Sequence, residues 1–569
     1  MKQVLACLLS ALGCFLSCAL LGFPETGGVR FCWVLLWAVS SVAGLRFLRV
    51  RDRRARACFG VFGALFVLAL ALGYRLEAAG ETGIDGLLLS LSAALCLGPA
   101  AGWAALWLDE RMAALAVSPA RVPRHALLAP MTLMLLAWTP MLLAFYPGIH
   151  AYDTFAQIPE YLSGSFSTHH PLAHTLMTGW LYDLGAALGN PAWGMLAYSV
   201  LQMLLLAYAL ARGLAFLAGR GCPRWVRVGL LALMCLSPQY SLHALGCTKD
   251  IPFAALMTLY TLRLYRAFSQ RELLRSPRFL AGTVAVGVFA MLFRNNAPYA
   301  LLLLLPFAVF LAGRGFRARM AALLAATLLF SLGAGKALQL ATDAQSGLVN
   351  EMLSIPAQQL SRVYVRHPSD TVAAEIVEFV PYAEKYNEAR ADPVKLHLKV
   401  SRPGELWGFV KFWGRELLHY PVEYIDAFLQ QSRGYWFLDD TLFTRDTAAI
   451  YLWFNDNLGV EQTSLLPGLR EAMLTLFDQN AYQRVPLLSL LIQPALYTWL
   501  CLFALACAVR RRDRALAVAA LAALCYLFTI CLGPLVANRY AFYLIAFAPL
   551  LVGLMHNLPE TGKPVCGGD

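Results

Sequence analysis

The sequence predicts an all-α polytopic membrane protein of about fourteen transmembrane helices, with a mainly helical domain outside the bilayer. Three observations lead there. Hydrophobic residues make up 59% of the 569-residue chain and charged residues only 14%, where a soluble domain carries about 25% charged. Apolar runs long enough to cross a bilayer recur along the chain. The loops between them alternate between strongly basic and poorly basic. The first observation excludes a water-soluble enzyme. The net charge of +12 does not signal nucleic-acid binding, because the arginines sit in short loops between apolar runs and not on one face of a folded domain.

Windows of about 20 apolar residues place spans at 4–23, 31–48, 57–76, 87–108, 127–146, 191–216, 228–245, 251–267, 279–293, 297–313, 320–340, 486–508, 515–532 and 540–556. The first of these, in MKQVLACLLSALGCFLSCALLGF, exceeds the apolar stretch of a signal peptide and is read as an uncleaved span. The basic loops are 49–56 (RVRDRRAR), 109–125, 217–227, 268–278, 314–319 and 509–514 (VRRRDR), and all fall on one side of the chain's weave. The positive-inside rule makes that side cytoplasmic. The expectation is a plasma-membrane protein with both termini in the cytoplasm.

The chain divides into a four-span extension (1–126), a transmembrane core (127–340) interrupted by an outer loop at 147–190, an extracytoplasmic domain (341–485), and C-terminal spans with a short tail (486–569). Charge sets the third segment apart. Residues 341–484 hold 19 of the 34 acidic and 13 of the 46 basic residues, a net charge of −6 against +18 for the rest. Their apolar residues recur every three or four positions, as amphipathic helices require. None of the 14 cysteines falls in this domain, so no disulfide framework or CxxC metal site is expected there. LPETG at 558–562 matches a sortase signal, but only KPVCGGD follows it; without a hydrophobic tail the match is read as coincidence.

Polar residues beside a span are costly unless they have work to do, and the outer side collects them. Eight of ten histidines are assigned there, with Asp153, Lys249, Asp250, Arg294, Asn295, Asn296 and Arg539. The loop YPGIHAYDTFAQIPEYLSGSFSTHHPLAHTLMTGWLYDLG reads as two short helices on the membrane surface, the second begun by Pro171. Asp153 is either the cap of the first helix or a catalytic carboxylate, with Tyr152 beside it. His169, His170 and His174 suggest hydrogen bonds to structure or substrate more than a metal site, because HExxH-type spacing is missing. Lys249 and Asp250 open the eighth span. Lys249, Arg294 and Arg539 each stand alone at an outer boundary, where the charge rule disfavours them; together they point to an anionic ligand such as phosphate. Gln358, Gln359 and Arg362, and further on Arg433, stand in stretches of amides, guanidinium groups and aromatic rings suited to sugar hydroxyls.

On these residues the chain resembles the GT-C superfamily of polyprenyl-phosphate-sugar-dependent glycosyltransferases. Residues 127–190 resemble their opening unit of spans and surface helices, with Asp153 at its acidic position, and 341–485 resembles their outer domain. YPG…D…HHP, TKDIPF, RNN and SIPAQQLSR look closer still to a group of bacterial multi-pass membrane proteins of unassigned function. The four spans before residue 127 depart from the superfamily pattern. So does the lack of a second acidic residue beside Asp153, so neither a divalent cation nor another cofactor is expected. The resemblance implies sugar transfer from a lipid-linked donor to a glycan or protein acceptor of the cell envelope, with Asp153 as general base and Lys249, Arg294 and Arg539 on the donor phosphate. The rival reading is a transporter or flippase for an anionic lipid or solute, its path lined by the same cations. Membrane lipids are partners in either case.

Overall fold

A computed structural model describes residues 2–21, 27–115, 117, 126–150, 153–347, 349–400, 403–441, 450, 452 and 458–556. Tyr152 and the LPETG stretch lie outside the described residues. Among those described, the chain is helical throughout. Its only β-pairing is four isolated bridges.

Helices α1 (Lys2–Leu21), α2 (Gly27–Arg49), α3 (Arg53–Ala79) and α4 (Gly83–Ala114) form the N-terminal bundle. α5 (Leu128–Ala144) leads to the short pair α6 (Thr154–Ser163) and α7 (Leu172–Ala187). Then come α8 (Pro191–Gly219), α9 (Arg224–Leu236), α10 (Pro238–Leu245), α11 (Asp250–Ser269), α12 (Pro277–Leu292), α13 (Ala297–Ala312) and α14 (Arg317–Ala341). The following domain contributes α15 (Ser354–Arg366), α16 (Thr371–Phe379), α17 (Asp392–Lys395), α18 (Pro403–His419), α19 (Pro421–Ser432) and α20 (Pro467–Phe477). The chain closes with α21 (Pro486–Ile492), α22 (Pro494–Arg511), α23 (Arg514–Cys531) and α24 (Phe542–Leu554).

Six of these helices are long and apolar enough to cross a membrane, eight if each of two bent pairs counts as one span. This is an all-α polytopic membrane protein. Each apolar run read from the sequence coincides with a helix or a bent pair. The bent pairs, α9–α10 at 53° and α21–α22 at 71°, break before Pro238 and Pro494, because proline lacks the backbone donor and disfavours helical geometry in the residue before it. The breaks meet: the Tyr497 hydroxyl lies 3.3 Å from Gln239 Oε1.

The basic loops gather at one end of the bundle. Arg510 and Arg511 close on the buried Asp109 of α4, Val117 N donates to Gly221 O at 3.0 Å, and Arg271 and Arg514 both flank Gly313. At the opposite end stands the 341–485 segment. Its own apolar core runs only from Leu353 to Tyr424, whereas Tyr435, Phe477 and Tyr482 belong to the core of the helical bundle.

The N-terminal bundle reaches across to this segment. α3 and α4 hold 27 and 32 residues, or about 40 and 48 Å at 1.5 Å per residue, longer than a hydrocarbon core of about 30 Å. They pack closely where Gly63 meets Gly98 and Gly102 with no room for a Cβ. Their joined tip is held by buried polar bonds: Asp426 accepts from Thr82 N at 3.1 Å, and Arg362 donates to Gly80 O at 3.0 Å and pairs with Asp426 at 3.2 Å. Glu77 receives Arg433.

Candidate functional site

Two backbone segments run parallel and pair at the end opposite the basic loops. Ile149 N donates to Leu245 O at 3.0 Å and Cys247 N to Ile149 O at 2.8 Å, clipping the stretch before Asp153 to the stretch before Lys249. Asp153 then stands at the N-cap of α6, just before Thr154, with helical dihedrals (φ −62, ψ −32) and no capping hydrogen bond from its side chain. Its backbone carbonyl starts the helix, accepting from Gln157 N at 3.0 Å. The carboxylate is left to face cations.

Lys249 Nζ lies 3.2 Å from Asp153 Oδ2, and Arg539 Nη1 lies 3.1 Å from Asp153 Oδ1. Arg539 also sits 3.6 Å from Asp250 Oδ2, while Asp250 Oδ1 pairs with Arg294. Arg294 Nε donates to Asn296 Oδ1 at 3.0 Å, and Asn296 Nδ2 donates to Thr529 Oγ1 at 2.9 Å. Tyr540 offers its ring to both guanidinium groups, 4.6 Å from Arg294 and 4.7 Å from Arg539. The cluster is thus built from the start of α6, the start of α11, the α12–α13 turn and the α23–α24 loop. The reading of Lys249, Arg294 and Arg539 as solitary cations is corrected: each has a carboxylate partner. Loop-by-loop charge counting cannot find it, because the partners come from segments far apart in the chain.

Burial governs the protonation states. It alone would raise the pKa of Asp153, but Lys249 and Arg539 together hold it well below the usual carboxylate range. Burial also lowers Lys249, partly offset by Asp153. His170 is pushed to about 3 by burial and then by the Lys249 ammonium. It is therefore neutral, and its Nδ1 accepts from Lys249 Nζ at 3.0 Å.

The other histidines and asparagine stand around the cluster and not in it. His174 is fully buried, its Nδ1 at 2.8 Å from Gln157 Oε1 and its Nε2 at 2.8 Å from the Tyr198 hydroxyl. With both ring nitrogens engaged it has no lone pair to offer a metal. His169 is exposed and packs edge-on against His170. Asn295 ties the α12–α13 turn to the Thr168 carbonyl at 3.0 Å. Both carboxylates of the cluster face cations, so the arrangement suits an anion better than a cation. Among the described residues no three His, Cys, Asp or Glu side chains are placed to hold a metal.

Gln358, Gln359, Arg362 and Arg433 are not brought to the cluster. Gln358 donates to Asn387 O at 2.7 Å, Gln359 bridges Tyr424 O and the Trp413 indole, Arg362 holds the α3–α4 tip, and Arg433 pairs with Asp440 at 2.7 Å. The two glutamines serve the domain's own packing, while Arg362 and Arg433 also tie it to the N-terminal bundle at Gly80 and Glu77. The domain touches the site by another route, through the loop that carries Arg539. Ala391 N donates to Pro534 O at 2.7 Å, and the Tyr435 hydroxyl accepts from Ala537 N at 3.3 Å. Tyr435 reads in the sequence, with Gln430, Gln431, Arg433 and Trp436, as part of a sugar-binding composition, whereas its hydroxyl braces this loop; Tyr540 was missed. Tyr540 left a signal in the sequence, an aromatic directly after the arginine in ANRYAF.

The fold and the cluster define a helical multi-pass membrane protein with a cluster of three cations and two carboxylates at one end of its bundle. Residues 158–558 match a family of unknown function, DUF6020, and the chain belongs to that family. The matched segment takes in Lys249, Asp250, Arg294 and Arg539 and begins after Asp153. No curated protein and no solved structure matches the chain.

Proposed function

We propose that this protein is a GT-C-type membrane glycosyltransferase that moves a sugar from a polyprenyl-phosphate donor to an acceptor of the cell envelope. In this reading the chain crosses the plasma membrane fourteen times with both termini in the cytoplasm, the shorter helices crossing where neighbours shield their ends, and the cluster works at the outer leaflet. The observation that carries it is Asp153 held between Lys249 and Arg539, 3.2 and 3.1 Å away: a carboxylate able to take a proton beside cations able to take a phosphate. The acceptor hydroxyl attacks the anomeric carbon, Asp153 removes its proton, and the bond to the phosphate oxygen breaks with its electron pair going to the lipid phosphate. That leaving group is stabilised by the cations and needs no general acid. A single carboxylate favours inversion at the anomeric carbon.

The test is transfer of labelled sugar from polyprenyl phosphate to an acceptor in membranes containing the protein. The transporter reading draws on the two bent helix pairs and their contact at Tyr497 and Gln239, since broken helices line many transport sites. Movement of labelled lipid phosphate across a vesicle bilayer, with no sugar transfer, would favour it.

A further inference from the structure

We propose that the Asp153 carboxylate occupies, in the ligand-free protein, the seat of the substrate's phosphate, so that ligand and Asp153 compete for Lys249 and Arg539. The inference rests on the anionic-ligand reading above and separates the cations that change partners from the one that does not. Arg294 is fixed on every side. Its Nε is on Asn296, Nη1 on Asp250 and its face on Tyr540, and Asn296 is itself tied to Thr529. Moving Arg294 onto a ligand would strand Asp250, whose side chain is 1% exposed. Lys249 and Arg539 are the more open members, with side chains 16% and 15% exposed against 8% for Arg294. Arg294 and Asp250 form the scaffold, and Lys249 and Arg539 form the exchangeable pair.

Charge supports the exchange. Three cations face two carboxylates, and His170, 4.0 Å from Asp153, and His174 are neutral neighbours. The single negative charge of a phosphodiester would bring these five charged side chains to neutrality. During transfer the acceptor oxygen bonds to the anomeric carbon, the phosphate leaves with the electron pair of the broken bond, and the hydroxyl proton passes to Asp153. The departing phosphate gains one negative charge as Asp153 loses one, so the buried cluster stays neutral through the step. Displacement also strips Asp153 of the two cations that make it a weak base. Its basicity then develops only once a donor is seated.

The experiment is calorimetric titration of full-length protein in detergent micelles with a long-chain polyprenyl monophosphate, in the wild type and in Asp153→Asn. Removing the competing charge should tighten binding by at least about tenfold, within the usual range of coupling between two ligands of one site, while Lys249→Ala weakens it. Inorganic phosphate and the uncharged polyprenol separate the sources of recognition. Tightening for both phosphates assigns the seat to the phosphate group alone; tightening only for the lipid assigns it to a lipid headgroup. Equal or weaker binding by folded Asp153→Asn overturns the competition while leaving the proposed function standing. Absence of lipid-phosphate binding in the wild type and every variant removes that function itself. If Asp153→Asn does not fold, Asp153→Ser makes the same test.

Discussion

Asp153 and Arg539 lie 386 residues apart in the chain and meet at 3.1 Å, so the charge at the start of one short helix is set by a loop near the C-terminus. Arg539 packs beside Tyr540 and shares Asp250 with Arg294. Neither carboxylate can be altered without changing the charge balance of the other.

Asp153→Asn preserves the shape of the side chain and removes the proton acceptor. Sugar transfer should fall by roughly 10²–10⁴ at equal expression, the usual worth of a general base. Wild-type transfer in this variant would take Asp153 out of the mechanism and make Asp250 the next carboxylate to test.

Lys249→Ala and Arg294→Ala should fail in different ways. Loss of the Lys249 ammonium removes a charged contact to phosphate, and polyprenyl-phosphate binding should weaken roughly ten- to a hundredfold in a protein that melts near the wild-type temperature. Arg294→Ala leaves Asp250 with only Arg539 at 3.6 Å. The cost is that of a broken buried ion pair, about 3–5 kcal/mol, and a lowered melting temperature in detergent should report it. Matching losses of binding, with both proteins melting normally, would mean that Arg294 contacts ligand directly.

Acid should destabilise the protein well before the carboxylates titrate. Burial pushes His150, His170 and His174 from 6.5 to about 3, so between those values the unfolded chain binds more protons than the folded one and stability rises with pH. Each histidine contributes a slope of about 1.4 kcal/mol per pH unit across that window. Asp153, depressed below its ordinary value, adds its own loss only as pH falls below about 4. The melting temperature at about pH 5.5 should lie clearly below that at about pH 7.5, and His174→Gln should reduce the difference. Equal melting at the two pH values would count against neutral buried histidines.

Membrane sidedness follows from the gathering of the basic loops at one end. In a cysteine-free background, single cysteines at the exposed positions Ala79 and Glu384 should react with a membrane-impermeant thiol reagent in intact cells. One at exposed Arg51 should react only after the membrane is opened. The reverse pattern would invert the topology and place the ion cluster on the cytoplasmic side.

The residues of the cluster were legible one at a time. Asp153, Lys249, Asp250, Arg294 and Arg539 each drew attention as a charge where an apolar span ends, a local property that a run of twenty residues displays. Gln358, Gln359, Arg362 and Arg433 drew attention by composition alone. Composition does not say whether an amide or guanidinium faces a ligand or the rest of the protein; the two glutamines hold the domain together, and Arg362 and Arg433 also join it to the N-terminal bundle.

What the sequence by itself determined is the class of protein: a helical membrane protein whose apolar runs become helices and whose basic loops share one end. These follow from near-neighbour physics, the need of each apolar stretch for lipid and of each backbone donor for an acceptor within its own helix. Only the tertiary structure decided who pairs with whom. That Lys249 and Arg539 hold Asp153, that Arg294 holds Asp250, and that Tyr540 lies beneath two guanidinium groups depend on how the helices pack. An ion pair needs its partners within about 4 Å, and no distance along the chain reports a distance across the fold.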